Sequence, residues 1–312
     1  GPEHPKVAEM VHNLAQAIDS RGQRDSAIVL YRESLAHKRR VFGDAHPSVT
    51  VHLNNLGRVL REQGQLDEAE AMFREAIELD TQVFGPDHPY VAAGLDNLGS
   101  AMLDRGRFPE GERVFRQALE IYRRASGDSS SSVGLLLNNI AVARYRAGDV
   151  AGAEPYYERA VATYRTVLGA DHPYTMAVSA GYAGVLRDLG KLGEAETIWR
   201  AVLAKFEPGL PGTRPRVAQA LVGLGRTLVG ARRAAEAESV LAKGLEMMEA
   251  QYGADDWRTG EARLGRGSAL RALGREAEAR RELRRGRDLL VEVRSRQPRL
   301  AREAELAVAG LR

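Results

Sequence analysis

The chain contains no cysteine, which excludes a disulfide framework and any thiolate metal site and fits a reducing cytosol. It has no apolar run approaching the length of a membrane span, and its first residues lack the basic-then-apolar order of a signal peptide. The expectation is a soluble, cytoplasmic chain with no membrane partner. An excess of one charge is missing too. The 45 basic and 42 acidic residues are mixed along the sequence and leave a formal net charge of +3, far from the concentrated positive field that nucleic acids require. No nucleic-acid partner is expected. Lysine is scarce, five residues against forty arginines, and with the abundant alanine and glycine this suggests a GC-rich, bacterial coding source. The phosphate-loop, dinucleotide-binding, zinc-protease and nucleophile-elbow signatures are all absent. An enzyme is therefore not expected, and no cofactor or metal is implied.

What the chain does have is a period. The stretch from His46 to Phe84 recurs in near-copies every 42 residues, and self-similarity at a fixed period outweighs local propensity as a guide to fold. In its first half Val49, Leu53, Leu56 and Leu60 fall on one helical stripe. Pro47 suits a first helical turn and Gly64 suits its end. In the second half Ala69, Met72, Phe73, Ala76 and Ile77 repeat the spacing before Gly85. Each unit thus reads as a helical hairpin. A His-Pro dipeptide opens the copies at His4, His46, His88 and His172; Arg214-Pro215 keeps the proline, and Ser130-Ser131 and Asp256-Trp257 keep neither residue. The mid-hairpin glycine recurs at Gly22, Gly64, Gly106, Gly148, Gly190 and Gly274, with Arg232 in its place once. The second-helix aromatic runs Tyr31, Phe73, Phe115, Tyr157 and Trp199, then becomes Leu241 and Leu283.

Leu53, Leu56-Gly57, Leu60, Ala69, Phe73 and Ala76 match the spacing of the tetratricopeptide repeat, which the whole chain resembles. The 42-residue period, the Asn-Leu-Gly motif and the Gly-x-x-His-Pro loop make it similar to the kinesin-light-chain-like subclass, also abundant in bacterial signalling proteins. The resemblance implies an all-α fold, a right-handed superhelical solenoid of seven hairpins at about residues 5–46, 47–88, 89–130, 131–172, 173–214, 215–256 and 257–298, with a capping helix at about 299–311. A solenoid buries each repeat against its neighbours alone, so the 312 residues are expected to form a single domain. The first residue already lies in an inter-repeat loop, in phase with Gly85-Pro86-Asp87-His88-Pro89, so the chain is expected to be part of a longer protein.

At one phase of the first helix stand Asn13, Asn55, Asn97 and Asn139, preceded by His12, Asn54, Asp96 and Asn138. Asparagine is a mediocre helix former, so its recurrence needs a reason. A carboxamide carries donors and an acceptor and can pair with the backbone of an extended peptide. In tetratricopeptide proteins this face lines the concave groove, so the resemblance implies a peptide-binding ladder, with Arg58, Arg61, Asp104, Tyr145 and Arg146 beside it. The same carboxamides could instead bond across to adjacent helices and fix the repeat geometry. Each net hydrogen bond contributes about 0.5–1.5 kcal/mol, so side-chain pockets would have to supply most of the affinity. Three repeat steps of roughly 10 Å would span around nine residues of extended peptide. At the same phase repeats five to seven have Gly181, Gly223 and Gly265, which permit close packing or a bulkier partner. The functional expectation is a scaffold or sensor binding a peptide or protein segment, as the interaction arm of a larger bacterial signalling protein. The alternative is a self-assembly module with the oligomeric state left open.

Three stretches depart from the pattern. The loop Gly127-Asp128-Ser129-Ser130-Ser131-Ser132 offers a serine helix cap or a modifiable hinge. Residues 207–215 hold three prolines without disturbing the period, which suggests a stiffened loop. Residues 275–312 hold eleven arginines against seven acidic residues, as a solvated terminal face would. The His-Pro histidines cannot share an ion, because stacked helices stand roughly 8–10 Å apart while metal bonds are about 2 Å.

Overall fold

The computed structural model describes residues 4–205 and 214–311, and among them the chain forms fifteen helices and no strand. They are α1 (Pro5–Ser20), α2 (Arg24–Phe42), α3 (Pro47–Glu62), α4 (Leu66–Phe84), α5 (Pro89–Asp104), α6 (Phe108–Ser126), α7 (Ser131–Ala147), α8 (Val150–Leu168), α9 (Pro173–Asp188), α10 (Leu192–Ala204), α11 (Arg214–Gly230), α12 (Ala234–Tyr252), α13 (Trp257–Ala272), α14 (Glu276–Val291) and α15 (Pro298–Ala309). Paired in order, they are seven antiparallel hairpins followed by one further helix, an all-α helical-repeat solenoid. Residues 207–213 of the proline-rich stretch lie outside the described residues, and α11 starts in phase at Arg214.

The histidines of the His-Pro loops are helix caps. Nδ1 of His4, His46, His88 and His172 accepts the backbone N–H two residues on, at 3.1–3.2 Å, while proline takes the next position, whose N–H would go unused. In two of the three repeats that lose the histidine, Ser130 and Asp256 do the same work through an oxygen, on Val133 and Arg258. The mid-hairpin turn needs a left-handed residue. Six repeats use glycine there, and Arg232 adopts the same geometry at φ 59°, a conformation that costs a side-chain-bearing residue roughly 1–2 kcal/mol.

The helices divide into two compact units, Gly1–Asp128 and Ser129–Arg312, so the boundary falls in the serine loop. Unit 1 holds α1 to α6 around a core that includes the fully buried Tyr31, Leu53, Leu60 and Phe73. Unit 2 holds α7 to α15. In both, successive first helices approach one another (α3 with α5; α7 with α9, α9 with α11, α11 with α13), whereas successive second helices do not approach to the same degree. The first helices therefore line the inner face of each unit.

The core residues that set the spacing are rings and glycines. Phe73 lies over Gly57 and Phe115 over Gly99, so close that a Cβ on either glycine would stand 2.6 Å from the ring. In repeats four and five the same phase carries Ala141 and Ala183, and the ring goes elsewhere. Tyr157 lies against Gly181 and Trp199 against Gly223, each in the next hairpin. Two of the glycines that interrupt the asparagine ladder, Gly181 and Gly223, thus make room for these rings, and the third, Gly265, lies against Arg226 and Leu241.

Candidate functional site

In unit 1 the asparagines bond along the inner face from one first helix to the next. Asn97 Nδ2 donates to Asn54 Oδ1 at 3.1 Å, and Asn55 Nδ2 lies 3.2 Å from His12 Nε2. Gln16 Nε2 also faces His12 Nε2, at 3.3 Å. Two carboxamide donors make Nε2 the acceptor, so the proton sits on the buried Nδ1, which has no partner among the described residues. Burial, then Lys38, lowers the His12 pKa in keeping with a neutral ring. The His52 ring lies tilted against it, centroids 4.6 Å apart, and bonds the Ser48 carbonyl through Nδ1 at 2.9 Å. Its pKa is pushed down to about 4, chiefly by burial. Asn13 is exposed, and Asp96 is half-buried beside Asn97.

The charged candidates of unit 1 are paired. Arg58 bridges Asp19 at 2.8 Å and Glu62 at 2.7 Å, and Arg61 reaches Asp104 at 3.5 Å. Among the described residues Asn55 and Asn97 each spend one carboxamide N–H on the neighbouring first helix, at one-repeat spacing.

In unit 2 Asn138 donates to Asn139 at 3.2 Å. Beyond them the inner face is taken up by a charged cluster. Tyr145 donates to Asp188 at 2.6 Å, and Asp188 also receives Arg187 at 2.8 Å and Arg299 at 2.6 Å. The Arg299 guanidinium lies 4.4 Å above the Tyr145 ring. Burial raises the Tyr145 pKa. Burial would raise Asp188 as well, but Arg187 and Arg299 outweigh it and hold the carboxyl below its usual range. Arg226, buried on α11, forks onto Glu303 at 2.6 and 2.7 Å and also contacts Glu261.

Next to this cluster is a cavity of about 300 Å³, with Arg146, Tyr157, Trp199, Trp257 and Gln219 in its wall. Among the described residues no group of three or more metal-ligating side chains occurs.

The sequence reading placed Tyr145 and Arg146 here but not the rest of the cluster. A usable signal was present. Arg226 stands at the phase of Arg58, Arg187 at that of Arg61 and Tyr145, and Asp188 at that of Asp104 and Arg146. Arg299 and Glu303 carry no such signal, since nothing local says which face a terminal helix will cover.

A tetratricopeptide repeat model matches residues 48–124, 132–207 and 175–250, and a second one matches residues 7–48. The chain belongs to the tetratricopeptide repeat family. Several solved structures share its fold. BtubC (BKLC) from P. vanneervenii is 18% identical over 74% of this chain and 92% of that one, with a TM-score of 0.63. The nearly identical repeats of a putative kinesin light chain from Podosopora anserina are 23% identical over 65% and 95%, TM-score 0.57. A Rap protein complexed with Competence and Sporulation Factor is 15% identical over 99% and 100%, TM-score 0.56. No curated protein matches. Among the described residues no helix is long and apolar enough to cross a membrane.

Proposed function

We propose that this tetratricopeptide protein is a non-catalytic scaffold or sensor that binds a peptide or protein segment along its first-helix faces, within a bacterial signalling system. The observation that carries the reading is the half-used asparagine ladder of unit 1. Asn55 and Asn97 spend one N–H on the neighbouring first helix and keep an oxygen and an N–H for an extended backbone. The ladder thus supports both roles weighed for it, fixing the repeats and presenting a ligand surface. Asn13, Asn54 and Asp96 extend that surface, with Arg58, Arg61 and Asp104 as charged neighbours; Asn138, Asn139, Tyr145 and Arg146 are the corresponding residues of unit 2. The complex of the similar Rap protein with Competence and Sporulation Factor supports the reading that a fold of this kind can hold a partner.

The test is a library of extended nine-residue peptides screened against the wild-type chain and an Asn55→Ala, Asn97→Ala variant matched by circular dichroism. Binders lost only in the variant support the ladder. Equal binding by both refutes it.

A second reading, self-association, is favoured by Met10, Leu14 and Val29, large apolar side chains that are 51–70% exposed on α1 and α2. Light scattering across a concentration series separates it from the first, because the asparagine changes would leave a self-associated mass unaltered.

A further inference from the structure

The inner face of unit 2 is already occupied, by a segment of the same chain. Helix α15 continues the array beyond α14, yet its contacts reach back across all four first helices of the unit. It touches α7 and α13, and Arg299 meets Tyr145 on α7 and Asp188 on α9, 154 and 111 residues away in sequence. Glu303, one helical turn on, meets Arg226 on α11. Arg271 on α13 donates to the Ala307 carbonyl at 3.4 Å.

Two observations mark α15 as a replaceable occupant. The first is the balance of forces that hold it. Its buried side chains are Leu300, Ala301 and Ala304, and Leu306 stays 64% exposed. Its apolar contacts are with the end of the array, where Leu300 and Ala304 share a core with Leu264, Leu283 and Leu290, whereas its attachments across the inner face are the Arg299 and Glu303 pairs, each reaching into a cluster that belongs to the repeats. The second is the fit. The start of α15, from Gln297 to Leu300, forms one wall of the 300 Å³ cavity and leaves it unfilled. Trp199, 4% exposed, also lines this cavity. The groove therefore has room for a side chain bulkier than Leu300.

We propose that the inner face of unit 2 is a helix-binding groove for which α15 is the resident, displaceable ligand. The partner it fits is an amphipathic helix with an arginine in the place of Arg299, a glutamate four residues later in the place of Glu303, and a large or aromatic side chain in the place of Leu300. Asp188 with Tyr145 and Arg226 fix its direction and register, and the cavity takes the large side chain. The resident helix lowers the apparent affinity for the partner by the fraction of time it is seated. This goes beyond the ladder reading, which concerns extended segments and unit 1, and it stands if that reading fails.

Both tryptophans of the chain, Trp199 and Trp257, line this cavity, so intrinsic emission reports on it directly. The test uses the full chain and a synthetic peptide of residues 296–311 with phenylalanine at the Leu300 position. An Arg299→Gln, Glu303→Gln chain, in which the resident helix has lost its pairs, should bind the peptide about tenfold or more tighter than wild type, with a shift in tryptophan emission. Adding Arg226→Gln on the groove side should abolish the gain. Hydrogen exchange of the wild-type chain provides a measure that needs no substitution: the amides of α15 should open well before those of α13 and α14. Equal peptide affinity in wild type and the double variant overturns the proposal. So does exchange of α15 only together with the rest of unit 2, which would make it a permanent cap. A doubling of mass on weakening the pairs overturns the partner-helix assignment in favour of α15 from a second copy.

Discussion

Replacing Gly99 by alanine tests the packing that spaces the repeats. On helix propensity alone the change should stabilise α5 by about 1 kcal/mol. The structure predicts the opposite sign. The added Cβ would stand 2.6, 2.8 and 3.0 Å from three atoms of the Phe115 ring, closer than a carbon can sit without displacing it. Phe115 is fully buried, and a flat ring with no solvent-exposed edge has little room to retreat. Overpacking of this kind costs about 1–3 kcal/mol, so after the propensity gain Gly99→Ala should be destabilising by up to ~2 kcal/mol. The loss should be localised to the α5–α6 hairpin, since solenoid repeats unfold with partial independence. The assay is urea unfolding followed by circular dichroism, with hydrogen exchange to place the effect. Gly99→Ala combined with Phe115→Leu should recover part of the loss relative to Phe115→Leu alone. A single variant more stable than wild type, as propensity alone would make it, would refute the reasoning.

Other perturbations follow from the same geometry. Arg232→Gly relieves a left-handed arginine and should stabilise the α11–α12 hairpin by about 1 kcal/mol, read as a raised urea midpoint. His88→Ala removes the cap of α5 and should cost about 1 kcal/mol, whereas His88→Asp, which restores an acceptor and suits the positive end of the helix, should be close to neutral; paired thermal melts decide between them. Because the folded His52 pKa is depressed to about 4, the unfolded chain binds more protons between that value and about 6.5. Its contribution is therefore fully present above about pH 6.5 and is lost as pH falls towards 4, so the urea midpoint should drop over this range, with a shallower slope in His52→Gln. Phe73→Ala empties a fully buried site and should cost about 3–5 kcal/mol, measured by urea unfolding and centred on unit 1.

The repeat fold was legible because every signal that specifies it is local and recurs in most of the seven repeats. Pro47, Pro89 and Pro173 mark helix starts, the mid-hairpin glycines mark turns, and Phe73 and Phe115 mark the core. The cap role of the histidines was less visible, since imidazole is not among the usual capping side chains. It can be recognised afterwards from its replacements, Ser130 and Asp256, which share only the ability to accept a hydrogen bond. The ladder could be seen in the sequence, but not whether it bonds to neighbours or to ligands, because a carboxamide can do both at once. The cluster of unit 2 was only partly readable. Arg187, Asp188 and Arg226 sit at phases already singled out in earlier repeats, whereas Arg299 and Glu303 join them through a contact more than a hundred residues long for Arg299.

The trade between rings and glycines also limits how the array can change over time. In a simple repeat protein any module can be copied, deleted or moved, because each one is completed by an identical neighbour. Here Tyr157 and Trp199 borrow space from the following hairpin, and Ala141 and Ala183 deny it to them in their own. A repeat of the Asn97 kind inserted after repeat four would meet a tyrosine where its asparagine must go. Repeats four to six are consequently linked in heredity as well as in space: a duplication boundary can fall among the first three hairpins with little penalty, but one placed after Tyr157 or Trp199 must bring its matching glycine along.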